Sequence, residues 1–282
     1  MNLARRSVGD IFVYIFLSIM LIIALFPIFY AIMGSFKSNM DFITGEGGLI
    51  PSTWHIENYV EAWQNANFSL YTINSVVITA LAIIGSLILT SMAGYVFARS
   101  NFPGKKFVIS AFLATMFLAT GTITIFPTFS IIKALNLNGS IFGMVIVYVF
   151  SINVANIFLT MGYIKGIPKE IDEAAAIDGC GFFKTYLYIL MPVCLPILAT
   201  IALLIFRTTW NDYMMPMVFS LANDDIKTLT VGVTSLANSG AGSSAYNLML
   251  AGTAIALVPQ IIFYLFTSKF FISGITMGSL KG

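Results

Sequence analysis

Two groups of polar residues stand out in this chain, and both have the chemistry of docking and passage rather than of bond breaking. The first lies within Lys165–Pro192. Pro168 suits a first helical position, where the missing N–H would be unpaired anyway. Glu170, Asp172 and Glu173 follow where the positive end of a helix dipole favours carboxylates. Gly179 and Gly181 can turn the backbone at a helix end. The spacing predicts a short helix over about Lys169–Asp178. Ala174, Ala175 and Ala176 leave part of its surface nearly without side chains, so another protein's backbone can come close. A charged, flat helix of this kind suits the transmission of force from a soluble partner. A re-entering amphipathic loop with no partner accounts for the composition equally well.

The second group is amides and hydroxyls set in apolar runs. Asn153, Asn156 and Thr160 share one helical face, within about 60° of arc at 100° per residue. Asn carries donors and acceptors together, which matches sugar hydroxyls; glue between packed helices is the alternative. Asn211 and Asp212, beside Trp210, face a solute gate or mark the water interface. Gln260, beside Pro259, is a further polar candidate. Catalysis has no seat among these residues. There is no G-x-x-x-x-G-K-[ST] phosphate loop and no His/Asp/Glu cluster with metal spacing. Cys180 and Cys194 supply neither a disulfide framework nor a metal quartet, and the lone His55 reads as a surface residue.

The elements that must position these groups follow from composition. Of the 282 residues, 58% are hydrophobic and 9% charged, and Phe occurs 25 times. Soluble domains run at about 45–50% and about 25%. So few charges cannot cover a soluble globule, and a net charge of +2 excludes nucleic-acid binding through a basic stripe. The chain is an all-α integral membrane protein. Six runs reach the roughly 20 apolar residues a helical span needs: Ile11–Met33, Tyr71–Phe97, Phe107–Phe126, Ile141–Tyr163, Leu187–Phe206 and Leu248–Phe266. They are continuous, unlike the alternating strands of a barrel. The first follows Arg5 and Arg6 but is too long for a signal peptide, and Phe26, Pro27 and Tyr30 stand where a cleavage site would be. Ten Lys and Arg residues fall on the side of the termini and four on the other, which makes both termini cytoplasmic. Trp54, Trp63 and Trp210 then lie at the outer interface.

Within the outer loop, Trp54–Trp63 reads as a short amphipathic helix capped by Ser52 or Thr53, resting on headgroups or offering a docking surface. Ser75, Thr79, Ala82, Ser86, Thr90 and Ala93 form a seam of small residues for close helix packing. Thr120, Gly121, Thr122, Thr124 and Pro127 point to an irregular outer end of the third span, and Pro192 and Pro196 bend or delay the fifth. The spans carry no charge suited to a proton or sodium relay, which weighs against an ion-driven porter.

Glu173-Ala174-Ala175, three residues, Gly179, nine residues, then Ile189-Leu190-Met191-Pro192 resembles the E-A-A-x3-G-x9-I-x-L-P motif of ATP-binding-cassette (ABC) importer permeases, with Met191 in place of Leu. Other segments resemble the sugar branch, the MalG-like subunit of maltose-type importers: Asn74-Ser75, Tyr95-Val96-Phe97-Ala98-Arg99, Phe102-Pro103-Gly104-Lys105, Trp210-Asn211-Asp212-Tyr213 with Pro216, and the ending Gly274–Gly282. The resemblance covers nearly the whole chain, least in the first loop and in Asn223–Asn247.

It implies a MetI-like type I permease over residues 1–282, with an N-terminal span at 11–33, core spans within 71–267 and a cytoplasmic tail at 268–282. Glu173, Ala174, Ala175, Asp178 and Gly179 would belong to a coupling helix seated on a cytosolic ATPase, with Glu173 paired to a basic residue. Gly278, Lys281 and Gly282 of the tail would reach toward the ATPase dimer. The loop Leu236–Tyr246 would meet an external solute-binding protein. The implied assembly adds a MalF-like second permease, two ATPases that hold ATP and Mg²⁺, a sugar or short oligosaccharide as solute, and a bacterial or archaeal cell membrane. A non-sugar importer (polyol or glycerol phosphate) and, from another class, a passive channel or ion-coupled porter are the alternatives.

Overall fold

The computed structural model describes residues 8–45, 48–65, 67–118, 121–151, 153–237 and 245–279. Arg5, Arg6, Lys281, Gly282 and most of the loop Leu236–Tyr246 lie outside them. The described residues contain helices and no strand. In chain order the helices are α1 (Val8–Ser35), α2 (Asn39–Thr44), α3 (Glu57–Asn65), α4 (Phe68–Arg99), α5 (Lys105–Met116), α6 (Ile125–Ala134), α7 (Ile141–Phe150), α8 (Val154–Gly166), α9 (Glu170–Ile177), α10 (Phe182–Val193), α11 (Leu195–Trp210), α12 (Met214–Ser220), α13 (Leu229–Leu236) and α14 (Tyr246–Ser279). They cluster into two compact units, residues 1–68 with 232–257, and residues 69–231 with 258–282.

Among the described residues three helices are long and apolar enough to cross a membrane alone, within α1, α4 and α14. The other three expected spans are broken. Helices α5 and α6, α7 and α8, and α10 and α11 are pairs bent by more than 40° at short breaks. The third run stops at Met116 and resumes through a 3₁₀ turn at Gly121–Thr124, so the irregularity expected from its Thr, Gly and Pro residues takes the form of a break. The fourth breaks at Ser151–Asn153, where Asn153 Oδ1 accepts the Ala155 N–H and starts a new helix. The fifth also departs from the continuous run Leu187–Phe206. Thr185–Leu190 winds as a π-helix, Pro192 and Pro196 follow, and α10 lies at 80° to α11.

In the first unit, α1 is apolar on every face, and its spanning window is exposed throughout, as a lipid-facing helix requires. Helix α2 carries a reciprocal cap, Asp41 N–H to Ser38 Oγ at 3.2 Å and Ser38 N–H to Asp41 Oδ2 at 3.3 Å. Helix α3 starts at Glu57 rather than Trp54, and Ser52 and Thr53 do not cap it. The Thr53 hydroxyl is taken by His55 Nε2, whose Nδ1 lies 2.6 Å from Glu57 Oε1. Glu57's own backbone N–H, and after it His55, hold that carboxyl below the usual carboxylate range. Buried Asn58 fixes α3: its Nδ2 donates to the carbonyls of Ser35 and Lys37, both at 2.8 Å, and its Oδ1 accepts from Asn247 at 2.9 Å.

The second unit is organised on α4. Ser75, Thr79, Ala82, Ser86 and Thr90 are all buried, so the small-residue seam packs against protein. Two glycines on this helix permit backbone approach. A Cβ at Gly85 would lie 2.5 Å from Val149 of α7, and one at Gly94 would lie 2.7 Å from Thr160 of α8. Trp210 is 4% exposed and stacks on Phe206 with centroids 5.4 Å apart, so it packs in the unit's interior rather than marking a lipid interface.

Gly94→Val should force α4 and α8 apart and lower stability by about 1–3 kcal/mol, read as a lower unfolding midpoint of the purified protein in detergent. Gly162→Ala, where an added Cβ meets nothing within 4 Å, should stay within about 0.5 kcal/mol of the parent.

Candidate functional site: a short helix between two broken spans

Helix α9 is the expected short helix, one residue shorter at each end. Pro168 sits before it rather than at its first position. Ile167 caps α8 in extended geometry, as a residue preceding proline prefers, and Lys169 leads into α9. The far end is closed by a left-handed Gly179 at φ +77°, with its N–H on Ala176 O at 3.1 Å and the Cys180 N–H on Ala175 O at 2.8 Å. These two bonds make a Schellman cap, which favours glycine at that position. Gly181 instead begins α10.

The exposed residues of α9 are Glu170, Glu173, Ala174, Ala176 and Ile177, the last 87% exposed, and Asp178 is exposed just after it. Ala175, expected in the same contact surface, turns inward and is 3% exposed, which leaves its side chain unavailable to a partner. Ile177 lies outward instead. Its one signal in the sequence is the spacing of three from Ala174, which puts both on one face.

The inner face of α9 is tied to the end of α4. Arg99 Nη2 lies 2.9 Å from Asp172 Oδ2, with the two side chains 7% and 23% exposed, and also donates to Ile167 O at 3.0 Å. One helical turn earlier, the Tyr95 hydroxyl donates to Phe182 O at 3.2 Å and its ring packs 4.4 Å from that of Phe182. A turn before that, the hydroxyls of Ser91 and Tyr186 share a hydrogen bond of 2.7 Å. A cleft of about 340 Å³ runs beside these groups, lined by Arg99, Lys169, Asp172, Glu173, Cys180 and Phe182 among others. Nothing in the spacing of Arg99 and Asp172 announces their pairing, because they stand on different runs.

The structure divides the expected pathway residues. Asn153 is exposed and spends its carbonyl oxygen on the α8 cap. Asn156 is 5% exposed, and Thr160, 0% exposed, donates to the Asn156 carbonyl at 2.9 Å while packing on Gly94. That is the setting of packed helices. Asn211 and Gln260 are brought together, Asn211 Nδ2 donating to Gln260 Oε1 at 3.3 Å. They sit next in sequence to Trp210 and Pro259, which line an apolar groove of about 490 Å³ with Thr79, Phe206 and Phe263. Asp212 accepts the Tyr148 hydroxyl at 2.8 Å, which ties the end of α11 to α7. Gly278 lies within the last turns of α14. Among the described residues no group of three or more His, Cys, Asp or Glu could hold a metal ion.

No family model matches this chain. Individual relatives do. The probable ABC transporter permease protein YurM of Bacillus subtilis is 34% identical over 275 residues, covering 98% of this chain and 90% of the relative. The arabinooligosaccharides transport system permease protein AraQ of Halalkalibacterium halodurans is 31% identical, covering 92% of each. Among solved structures, a chain from the crystal structure of a bacterial ABC transporter involved in the import of the acidic polysaccharide alginate superposes with a TM-score of 0.80 at 25% identity, over 96% of this chain and 100% of that one. A permease of this kind is a multi-pass membrane subunit without catalytic chemistry of its own, and ATP is hydrolysed on partner ATPases. With a relative this similar matched over nearly its full length, the chain belongs to the ABC transporter permease family.

Proposed function

We propose that this chain is one half of the translocation pathway of an ATP-driven, binding-protein-dependent importer of an oligosaccharide, and that α9 is the contact through which the ATPase moves it. The observation that carries the coupling role is the exposed face of α9. Glu173 and Asp178 supply charge, Ala174 and Ala176 supply a surface without bulk, and Ile177 presents an apolar side chain to water. An apolar side chain 87% exposed on a charged helix outside the spans fits a protein contact better than a free surface. The excess of Lys and Arg on the side of the termini supports placing α9 in the cytosol. Arabinooligosaccharide transport by one relative, and alginate import by the transporter of similar structure, support a carbohydrate solute.

Six spans without apparent internal duplication call for a second permease, and a MalF-like heterodimer is the arrangement we favour. ATP and Mg²⁺ would bind the ATPases only. A binding protein would deliver the solute on the outer side, with Leu236–Tyr246 as the nearest candidate contact. Closure of the ATPases on ATP would push α9 and switch the pair of permeases from inward-facing to outward-facing. Within this chain, Asn211 and Gln260 are the pathway residues we favour for meeting sugar hydroxyls, since their amides pair with each other and their chain neighbours Trp210 and Pro259 line an apolar groove. Asn156 and Thr160 serve packing, and Asn153 serves the cap.

Glu173→Lys should lower both co-purification of the ATPase and ATP-dependent uptake by about tenfold or more, as reversal of one partner in a charge pair does. Undiminished association would remove α9 from the contact. Uptake is measured in vesicles with a panel of labelled neutral disaccharides to tetrasaccharides and an alginate trisaccharide. The double change Asn211→Leu with Gln260→Leu should reduce uptake with the ATPase still bound. Asn156→Leu should act on stability instead, lowering it by about 1–3 kcal/mol in the same detergent unfolding assay.

A further inference from the structure

We propose that Arg99 is the joint through which α9 drives α4, and that α4 carries this motion to the segment Asp225–Leu229 at its far end. The proposal rests on the reading of α9 as the ATPase contact and adds the route by which its displacement travels.

Ser91, Tyr95 and Arg99 are spaced by four residues and lie on one face of α4. Together they grip the α9 loop on both sides. Arg99 holds Ile167 O, before α9, and Asp172 within it. Tyr95 holds Phe182 O, after it, and Ser91 holds Tyr186 one turn further. The loop therefore cannot shift without α4 unless these contacts break. The least replaceable is the ion pair. The Arg99 side chain is 7% exposed, and a charge in that position that loses its partner is left without a counterion.

The pairing is also built to pivot. Only Nη2 approaches Asp172. Arg99 Nε and both carboxylate oxygens are buried without an aligned hydrogen bond, so the 2.9 Å contact is one of charge rather than a two-pronged fork. A fork fixes the angle between its partners. A single charge contact lets α9 turn about it while the two stay attached.

The far end of α4 is gripped in a similar way. Asn74 Nδ2 donates to Asp225 O at 2.7 Å and Lys227 O at 3.0 Å, and Ser75 Oγ accepts the Leu229 N–H at 2.8 Å. Both side chains are 3% exposed. From Asn74 to Arg99 the 32-residue helix α4 runs unbroken, about 38 Å at 1.5 Å per residue. The pairs α5–α6, α7–α8 and α10–α11 that pack in the same unit are each broken. A bent pair absorbs a push at its break, whereas an unbroken helix held at both ends delivers it.

The test is hydrogen exchange on the assembled importer in nanodiscs, with its second permease and ATPases, with and without ATP plus vanadate and with no solute. In the unaltered complex, ATP–vanadate should change exchange at residues 170–178 and at the Leu229 amide together. In Arg99→Gln the first change should remain, and the change at Leu229 should shrink by about fivefold or more. Arg99→Lys, which keeps the charge but not both contacts, should give an intermediate value. The exchanged pair, Arg99→Asp with Asp172→Arg, should restore the response. If Arg99→Gln does not assemble, Asp172→Asn is read in its place. A full response at Leu229 in either variant overturns the joint. So does an unaltered complex in which 170–178 responds and Leu229 does not. An unaltered complex with no response at 170–178 instead overturns α9 as the ATPase contact, and the joint falls with it.

Discussion

Lipid offers no hydrogen bonds, so every break in a spanning helix leaves backbone groups that the protein itself must satisfy. This chain breaks three of its spans, and that constraint explains much of the polar chemistry in its second unit. Between α7 and α8, Asn153 takes the Ala155 N–H and the Ser151 N–H returns to Val147 O at 2.8 Å. Between α10 and α11, the Cys194 N–H is shared by the carbonyls of Leu190 and Met191, and the Tyr163 hydroxyl donates to Val193 O at 3.3 Å. Thus Asn153 and Tyr163, which could be taken for solute-binding groups in apolar surroundings, are what allows the backbone to bend there.

The same scarcity governs charge. With charged residues at 9%, those drawn into the protein sit beside compensating groups. The Lys37 ammonium reaches the Gly48 carbonyl and lies 5.6 Å from the centre of the Phe42 ring. Asp212 accepts the Tyr148 hydroxyl, and the Met215 N–H lies 3.4 Å from its other oxygen. Asp172 faces Arg99. Such pairs contribute little net stability, because desolvation offsets their attraction, but separating one partner is costly. The Asp212–Tyr148 and Asp172–Arg99 contacts act as registers, and each sets where one helix end lies against another.

Much of this was legible in the residues, and the limits have physical causes. The α9 helix could be read because its signals are local: acids in the first turn and a glycine where only a left-handed residue closes the cap. The seam on α4 could be read because small residues at helical spacing have few other uses. The breaks were only half legible. Proline and threonine mark a weak point, but the bend is decided by tertiary satisfaction of the freed groups, which a sequence of apolar letters does not display. Asn156 and Thr160 are both buried, yet the partner Thr160 packs on is Gly94, more than sixty residues away. Trp210 was misjudged because an interfacial tryptophan and a buried one have the same neighbours in sequence. The Arg99–Asp172 pair had no signal at all, since long-range charge pairing leaves no period.

A helix of eight residues is too short to be stable in water on its own. The geometry of α9 must therefore be imposed from outside, and it is: by the Schellman cap at Gly179, by Ala175 buried beneath it and by Asp172 on Arg99. This dependence suits a mechanical contact. A longer, self-sufficient helix could move on its partner's surface while the membrane bundle stayed still. An eight-residue helix whose order derives from α4 cannot be displaced as an intact helix unless α4 follows or its anchors give way. In the coupling role proposed for α9, this local weakness would favour a tight link between motor and pathway, because a loss of coupling would also be a loss of the helix's own structure.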